Sequence, residues 1–506
     1  MALNSHILTI TEPTIKLEDV EAPDMGQSEG GDNFDVYQGG YVPLMKINGY
    51  VFQQNEVESF NLKLVGKYPQ LSASLIDSQG VFTVAQFPRD GDIVSLRIAV
   101  DKNGTYKDIR MDFHILEFRS RAASTSERST GENTFSLTAI AKLPGLYTEE
   151  CKSYGKATSY DHLIKIASDL QLGFATNTSG TNDEMARLCA YQTKLNLLDE
   201  VVSHSYIGDD SFQTYSIDPY YYVNFVDLQK VFDAPEDIEI DNLLTTTLFK
   251  ERAEDAPESE GTETAELILT NHHNVEGTRT HFDKYSLLNN STRIALENGY
   301  RRTMQYFDLN EEGGKMLEFN VESLVSSNIK DNEEPLKGSA GSKNDEYQTH
   351  SKHKYIGLQN SADNVHTNWS YGFINNYQNL VELEKMTLVV ELDAPNPAIY
   401  RYMKIPVAIY NYSKTSEAAT KAENELKKEN GFENKAEQME SGRDQSVNAD
   451  SEVYDDTFTL DEFLSAHYVV MGIEYSYRSD VGFRQKLHLA RREWPVRQAV
   501  VNKVNQ

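Results

Sequence analysis

Two runs of strictly alternating residues, at 41–118 and 469–495, set the tightest limits on what this chain can fold into. A period of two puts successive side chains on opposite faces of a strand. In YVPLMKINGYVF, Leu44, Lys46 and Asn48 alternate against Met45, Ile47 and Gly49, and Asn48-Gly49 is the dipeptide that supplies the positive φ of a tight hairpin. VESFNLKLVGKYPQLSASLID keeps the alternation through Phe60, Leu62 and Leu64; Gly66 to Pro69 break the strand and Asp77 to Gly80 turn the chain. Asp90-Gly91 precedes DIVSLRIAV, where Ile93, Ser95, Arg97 and Ala99 oppose Val94, Leu96, Ile98 and Val100, and Asn103-Gly104 leads into IRMDFHILEF. The second run, VVMGIEYSYRSDVGFRQKLHLARREWP, reads as a terminal strand pair. Strands this short, each closed by the turn chemistry it needs, predict a small closed or nearly closed antiparallel barrel near each end of the chain.

Between the runs the period changes. SYGKATSYDHLIKIASDLQLGF places Ser159 or Asp161 at a helix start, with Leu163, Ile166, Ala167 and Leu170 on one face and Gly173 ending it. A second helix is predicted after Thr181-Asn182-Asp183, carrying Met185, Leu188 and Cys189, and a third in NLLDEVVSHSYI, where Leu197, Leu198, Val201, Val202 and Tyr206 form a stripe. Tyr220, Tyr222, Asn224 and Val226 then alternate with Tyr221, Val223 and Phe225 in a strand. The chain thus divides into an extended acidic N-terminal arm (1–35), a first barrel (36–148), an α+β unit (149–245) and a strand-rich connecting region with acidic loops (246–364). A second barrel (365–412 with 457–495), a charged insertion (413–456) and a C-terminal tail (496–506) complete it.

Composition narrows the function. At 506 residues the chain has room for roughly three domains of about 150 residues. No run approaches the roughly 20 apolar residues that span a bilayer, so no membrane insertion is expected, and the N-terminus lacks the charged and apolar regions of a signal peptide. Cys151 and Cys189 are the only cysteines; they predict small buried or half-buried side chains, no disulfide framework, and synthesis in a reducing cytoplasm. The 78 acidic against 48 basic residues, net −30, repel a phosphate backbone and exclude a strongly DNA-gripping role. An acidic wall would let nucleic acid slide past without sticking, and ordinary solubility explains the same excess.

Catalytic signatures are missing. There is no glycine-rich phosphate loop, no HExxH, no cysteine-pair metal knuckle and no serine nucleophile between glycines. His272, His273 and His281, or His350, His353 and His366, are irregularly spaced in polar loops, so no metal or cofactor is expected. The pairs Glu149-Glu150, Asp209-Asp210, Glu311-Glu312 and Glu333-Glu334 would point to opposite faces of a strand and could not share a glycosidic substrate. Trp369, Tyr371, Phe373 and Tyr377 could form a carbohydrate platform, but packing accounts for them more readily. Arg484, Arg491 and Arg492 read either as bridges to acidic neighbours across subunits or as a ladder of exposed strand residues.

The order of these pieces, from the NG hairpin through GD-V-L-I, SYGKATSYDHLIKIASDLQLGF and TNDEMARLCAYQTKLNLLDEV to the tyrosine strand and GFRQKLHLARREWP, resembles the baseplate hub of contractile-tailed bacteriophages. That family includes the late-control hub protein and is similar to the base of the type VI secretion spike. The resemblance spans about 40–245 and 380–495; the N-terminal arm, the loop at 325–354 and the insertion at 413–456 fall outside it. It implies an α+β, mainly β fold with two tube-protein-like antiparallel β-barrels and an inserted α+β lateral domain. It further implies a homotrimer whose six barrels adapt a threefold central spike to a sixfold tail tube, contacting spike, tube and other baseplate proteins while DNA passes through without specific binding. Assembly is then expected in the host bacterial cytoplasm, with the mature protein in the virion tail baseplate. The alternatives are a tail-associated peptidoglycan hydrolase or carbohydrate-binding protein, and a tail tube or adhesin subunit.

Overall fold

The structure, a computed structural model, describes residues 7–18, 20, 42–77, 82, 87–99, 107–122, 133–234, 267–271, 280–298, 301–308, 315–320, 333–335, 352–359, 365–412, 458–461 and 463–497. Strand β1 (Leu8–Thr11) opens the described chain and is followed by seven strands: β2 (Val42–Ile47), β3 (Tyr50–Phe52), β4 (Val57–Leu64), β5 (Gln70–Asp77), β6 (Ile93–Ala99), β7 (Ile109–Ala122) and β8 (Asn133–Ala141). The seven form one antiparallel sheet in the order β4-β5-β8-β7-β6-β2-β3. Asn48 and Gly49, at φ 49° and 86°, make the predicted β2–β3 turn. The alternation holds: Met45, Ile47, Leu62, Leu96 and Ile98 are buried, while Lys46 reaches out to Glu18 at 3.3 Å. Curling brings Phe52, Phe82 and Phe135 together, with centroids 5.1 and 5.6 Å from Phe82. Each such ring removed from water contributes about 1.5–3 kcal/mol. Strands β3 and β4 are bridged by a single 3₁₀ turn, Gln54–Glu56, rather than by a ladder among the described residues. The Asn103-Gly104 turn and the polar loop at 123–132 lie outside the described residues.

The α+β unit follows: β9 (Glu149–Ala157), helix α1 (Ser159–Asp169), β10 (Gly173–Thr176), β11 (Met185–Thr193), α2 (Lys194–Ser203), β12 (Gln213–Ile217), β13 (Tyr222–Asp227) and α3 (Leu228–Phe232). Helix α1 begins where expected, Thr158 capping Asp161 N, and buries Leu163, Ile166 and Ala167. Gly173 does not end it; Gln171 at φ 61° turns the chain, and Gly173 starts β10. The predicted second helix is a strand instead. Residues 185–193 pair antiparallel with β9, burying Met185, Arg187 and Cys189 while Leu188 faces solvent. Asp183 does not cap that segment; its carboxylate accepts from Ser159 N and Tyr206 N, tying two neighbouring loops together. The arm around β1 pairs with β10, and beyond it Glu18 N donates to Asp112 of β7, so residues 7–18 strap the α+β unit to the first sheet.

The last part comprises β14 (Leu269–Thr270), β15 (Thr280–Asn289), α4 (Ser291–Asn298), β16 (Arg301–Asp308), β17 (Lys315–Asn320), β18 (Glu333–Pro335), β19 (Lys352–Gln359), α5 (Trp369–Leu383), β20 (Met386–Leu392), β21 (Lys404–Ala408), β22 (Tyr410–Tyr412), β23 (Phe458–Leu460), β24 (Ala466–Arg478), β25 (Gly482–Ala490) and β26 (Glu493–Arg497). Strands β14, β15, β20, β25, β24 and β21 close into a six-stranded ring. This ring is mixed, not purely antiparallel, because β14 runs parallel to both β15 and β21. A parallel pair cannot be joined by a two-residue turn, so no NG or DG signal marks it. Two staves, β14 and β15, come from the span read as connecting region. Helix α5 packs against the α+β unit, where a Cβ on Gly372 would come within 2.9 Å of Ser205 O. Residues 250–264, 336–350 and the insertion at 413–456 lie outside the described residues. Among the described residues no helix is long and apolar enough to cross a membrane.

Candidate functional site at the joint of two sheets

Strand β24 belongs to both β-modules. One of its edges pairs with β25 along its length; the other pairs with β21 through Ala466–Val469 and with β4 through Ile473–Arg478. The edge therefore forks, and the fork sits at a β-bulge between Val470 and Gly472. The backbones approach closely there: a Cβ on residue 472 would lie 3.0 Å from Val65 Cα and 3.1 Å from both of its methyls, so any larger residue would push Val65 aside by a few tenths of an ångström.

Breaking a ladder leaves carbonyls without strand partners. Arg401 satisfies three of them. Its Nε donates to Met471 O at 2.6 Å, Nη1 to Gly66 O at 2.5 Å and Nη2 to Val65 O at 3.0 Å. The planar guanidinium fork thus spans the turn after β4, the bulge of β24 and the loop before β21. Next to it, Tyr402 N donates to Val470 O at 2.7 Å and Val470 N to Met403 O at 2.9 Å.

Beside the joint a cleft of 670 Å³ opens between the two β-modules and the α+β unit. Leu64, Ile473 and Tyr475 form one wall; Leu8, Ala175 and Ile217 form another; Lys107, Asp218 and Arg401 bring charge. Asp218 Oδ1 accepts from the amides of Tyr220 and Tyr222, both at 2.9 Å, and Oδ2 accepts from Asn224 Nδ2 at 3.1 Å. Burial pushes its carboxyl up to about 6, against the pull of those bonds and of Lys107.

The residues singled out from sequence scatter elsewhere. His366 donates from Nε2 to His204 O at 3.0 Å and is buried; His281 lies on β15, far along the chain, His353 lies on β19, and His272, His273 and His350 lie outside the described residues. Among the described residues no group of three His, Cys, Asp or Glu could hold a metal. Cys189 is buried as expected, but Cys151 is exposed, because β9 and β11 form a two-stranded ribbon with one open face. Glu150 is held by Lys194 at 3.5 Å and Asp209 accepts from Tyr206 Oη at 2.7 Å; Glu333-Glu334 sits in β18, and Glu311-Glu312 lies outside the described residues.

Trp369 and Phe373 stack on His204 at 3.7 and 4.8 Å, and Phe373 stacks on Tyr377 at 6.0 Å. His204 thus covers one face of Trp369. Tyr371 meets Tyr206 edge-on at 6.0 Å. The terminal arginines bond within their own chain: Arg484 to Asp393 O, Arg491 to Glu493 O and Arg492 to Asp233 at 3.1 Å. Arg491 and Arg492 are buried, which overturns the exposed ladder.

Sequence reasoning missed Arg401, Asp218 and the Asn375-Asn376 pair. Asn376 Nδ2 donates to the carbonyls at the end of α2, including Ser205 O at 2.9 Å, and its Oδ1 accepts from Gln213 N. A visible signal existed for this one, since two asparagines inside an aromatic helix are poor helix formers and demand a reason.

No protein-family profile matches the chain, and no curated protein matches its sequence. Solved structures similar in fold include a tail protein from Neisseria meningitidis MC58, at TM-score 0.43 and 10% identity over 89% of this chain and 96% of that one. Another is the 43 kDa tail protein of prophage MuSo2 from Shewanella oneidensis, at TM-score 0.45 and 8% identity over 89% and 98%. A third is an E. coli component of the type VI secretion system, at TM-score 0.38 and 8% identity over 90% and 80%.

Proposed function

We propose that this chain is a structural part of a contractile tail, a baseplate hub that assembles as a trimeric ring around the DNA channel and adapts a threefold spike to a sixfold tube. The observation that carries the reading is the shared strand β24, which joins a six-stranded ring and a seven-stranded curled sheet into one continuous thirteen-stranded sheet. Two β-modules per chain would give a trimer six β-modules, and so six faces, around its axis. A flexible tether between them would let the six faces drift out of register; a common strand clamped by Arg401 does not. The reading is of a structural rather than a catalytic part; Glu150 is engaged by Lys194 and Asp209 by the Tyr206 hydroxyl.

The partners are then the spike below, the tube above and two further copies of the chain, with localisation in the virion tail. Light scattering of the purified chain, alone and with its spike partner, is expected to give a discrete trimer, and cryo-microscopy of the particle to place the chain on the tail axis. Monomers under both conditions, or density off the axis, would refute the hub.

A further inference from the structure

The cleft at the joint has a chemistry that the ring-building role leaves unused. Its walls are mainly aliphatic and aromatic, formed by Leu64, Ile217, Ile399, Ile473 and Tyr475. Two cations border it, and neither Lys107 nor Arg401 has a described carboxylate within ion-pair distance: Lys107 lies over the Tyr220 ring at 5.5 Å, and Arg401 spends its hydrogen bonds on neutral carbonyls. The one carboxylate in the lining, Asp218, has both oxygens taken by Tyr220, Tyr222 and Asn224. So the cleft combines apolar walls with two cations against one carboxylate, Asp218, which Lys107 partly offsets, inside a chain whose net charge is −30. Lys107 is exposed and Arg401 part-exposed, so an anionic head can reach both from solvent and is attracted by them.

We propose that this cleft binds a small anionic amphiphile, an alkyl chain bearing a carboxylate or phosphate head. The alkyl chain lies against Leu64, Ile217 and Ile473, and the head lies toward Lys107 and Arg401. The volume of 670 Å³ is in the range of pockets that enclose small organic ligands.

The test is calorimetric titration of the full chain with dodecanoate, dodecyl phosphate, dodecyltrimethylammonium and inorganic phosphate, each below its micelle concentration. Both anionic amphiphiles are expected to bind at one site. The cationic one is expected at least tenfold weaker, and phosphate alone undetectable. A preference for one anionic head over the other tells which kind of lipid acid the site takes. Lys107→Glu, at an exposed position, should weaken the anions at least tenfold with the thermal melt unchanged, and Ala175→Leu, which fills the cleft, should abolish binding. No binding of either anion, equal binding of cation and anion, or binding indifferent to Lys107→Glu would overturn the proposal, as would a structure of the assembled tail with a partner polypeptide seated in the cleft.

Discussion

At the scale of single residues, the chain spends its unusual side chains on carbonyls rather than on chemistry. Arg401 is the clearest case: replacing it with alanine strands the carbonyls of Val65, Gly66 and Met471. Because the site is part-exposed, water recovers some of the loss, and urea denaturation should show a destabilisation of about 2 kcal/mol. Arg401→Lys keeps the charge but cannot span three acceptors, so it should recover less than half. His204 makes a second case. It is packed against Trp369, donates to Trp369 O, and burial drives its imidazole down to about 3. A folded-state value below the unfolded 6.5 means that the neutral ring stabilises the fold above pH 6.5 and that this contribution is lost as pH falls toward 3. Between pH 7 and pH 5 the loss is about 2 kcal/mol. Asp218 and Asp227, both raised to about 6, act in the opposite sense and gain stability over the same interval. The parent curve therefore mixes the two, and the difference between parent and His204→Asn isolates the histidine. Stability of the variant should fall less steeply, or rise, between pH 7 and pH 5; identical slopes would show that His204 is not held neutral.

Elements explain which parts of the fold were legible. The β2–β3 hairpin could be read because Asn48-Gly49 and the Met45/Ile47 alternation carry the same message locally. Helices α1 and α2 were legible for the same reason, each bringing its own apolar stripe and threonine cap. Strand β11 was not: Met185, Leu188 and Cys189 have helical spacing, and only the ladder to β9, some thirty residues earlier, decides the matter. Strand β14 was hidden for a related reason, as two residues held by parallel neighbours far away in sequence leave no local mark. Arg401 was invisible because its acceptors are 70, 335 and 336 residues away. One element-level consequence can be tested. Strands β22 and β23 pair Tyr412 with Phe458, so the ends of the span 413–457 meet side by side. Replacing that span with a short Gly/Ser linker leaves the described ladder in place and shortens the connection between its strands, and closure entropy depends only weakly on the length of a connection. The melting temperature of the shortened chain should lie within a few degrees of the parent, and a drop of about 10 °C or more, worth more than 2 kcal/mol in a chain of this size, would mean that the insertion packs on the fold.

At the scale of the whole molecule, the shared strand makes a claim about cooperativity. If the two β-modules were separate domains joined by a tether, residues 42–141 would hold their own stability and survive loss of the C-terminal strands. The topology argues otherwise. Six residues of β4 find their outer partners on β24, and the same strand closes the ring against β21 and β25. A chain ending at residue 461 loses β24 and β25 together, which opens the ring and bares the β4 edge along Ser59–Leu64 in one stroke. An unpaired edge of alternating apolar residues is a template for aggregation. The shared strand also couples the modules energetically, so calorimetry of the intact chain should show both β-modules melting in one transition, and amides of β4 should exchange as slowly as those of β25. The truncated chain should be insoluble, or should lack a cooperative melt and elute as large aggregates. Recovery of a soluble fragment whose first sheet melts sharply near the parent temperature would show that the modules fold independently. In that case β24 would be a surface contact rather than a common stave, and the rigid pairing on which the ring depends would be lost.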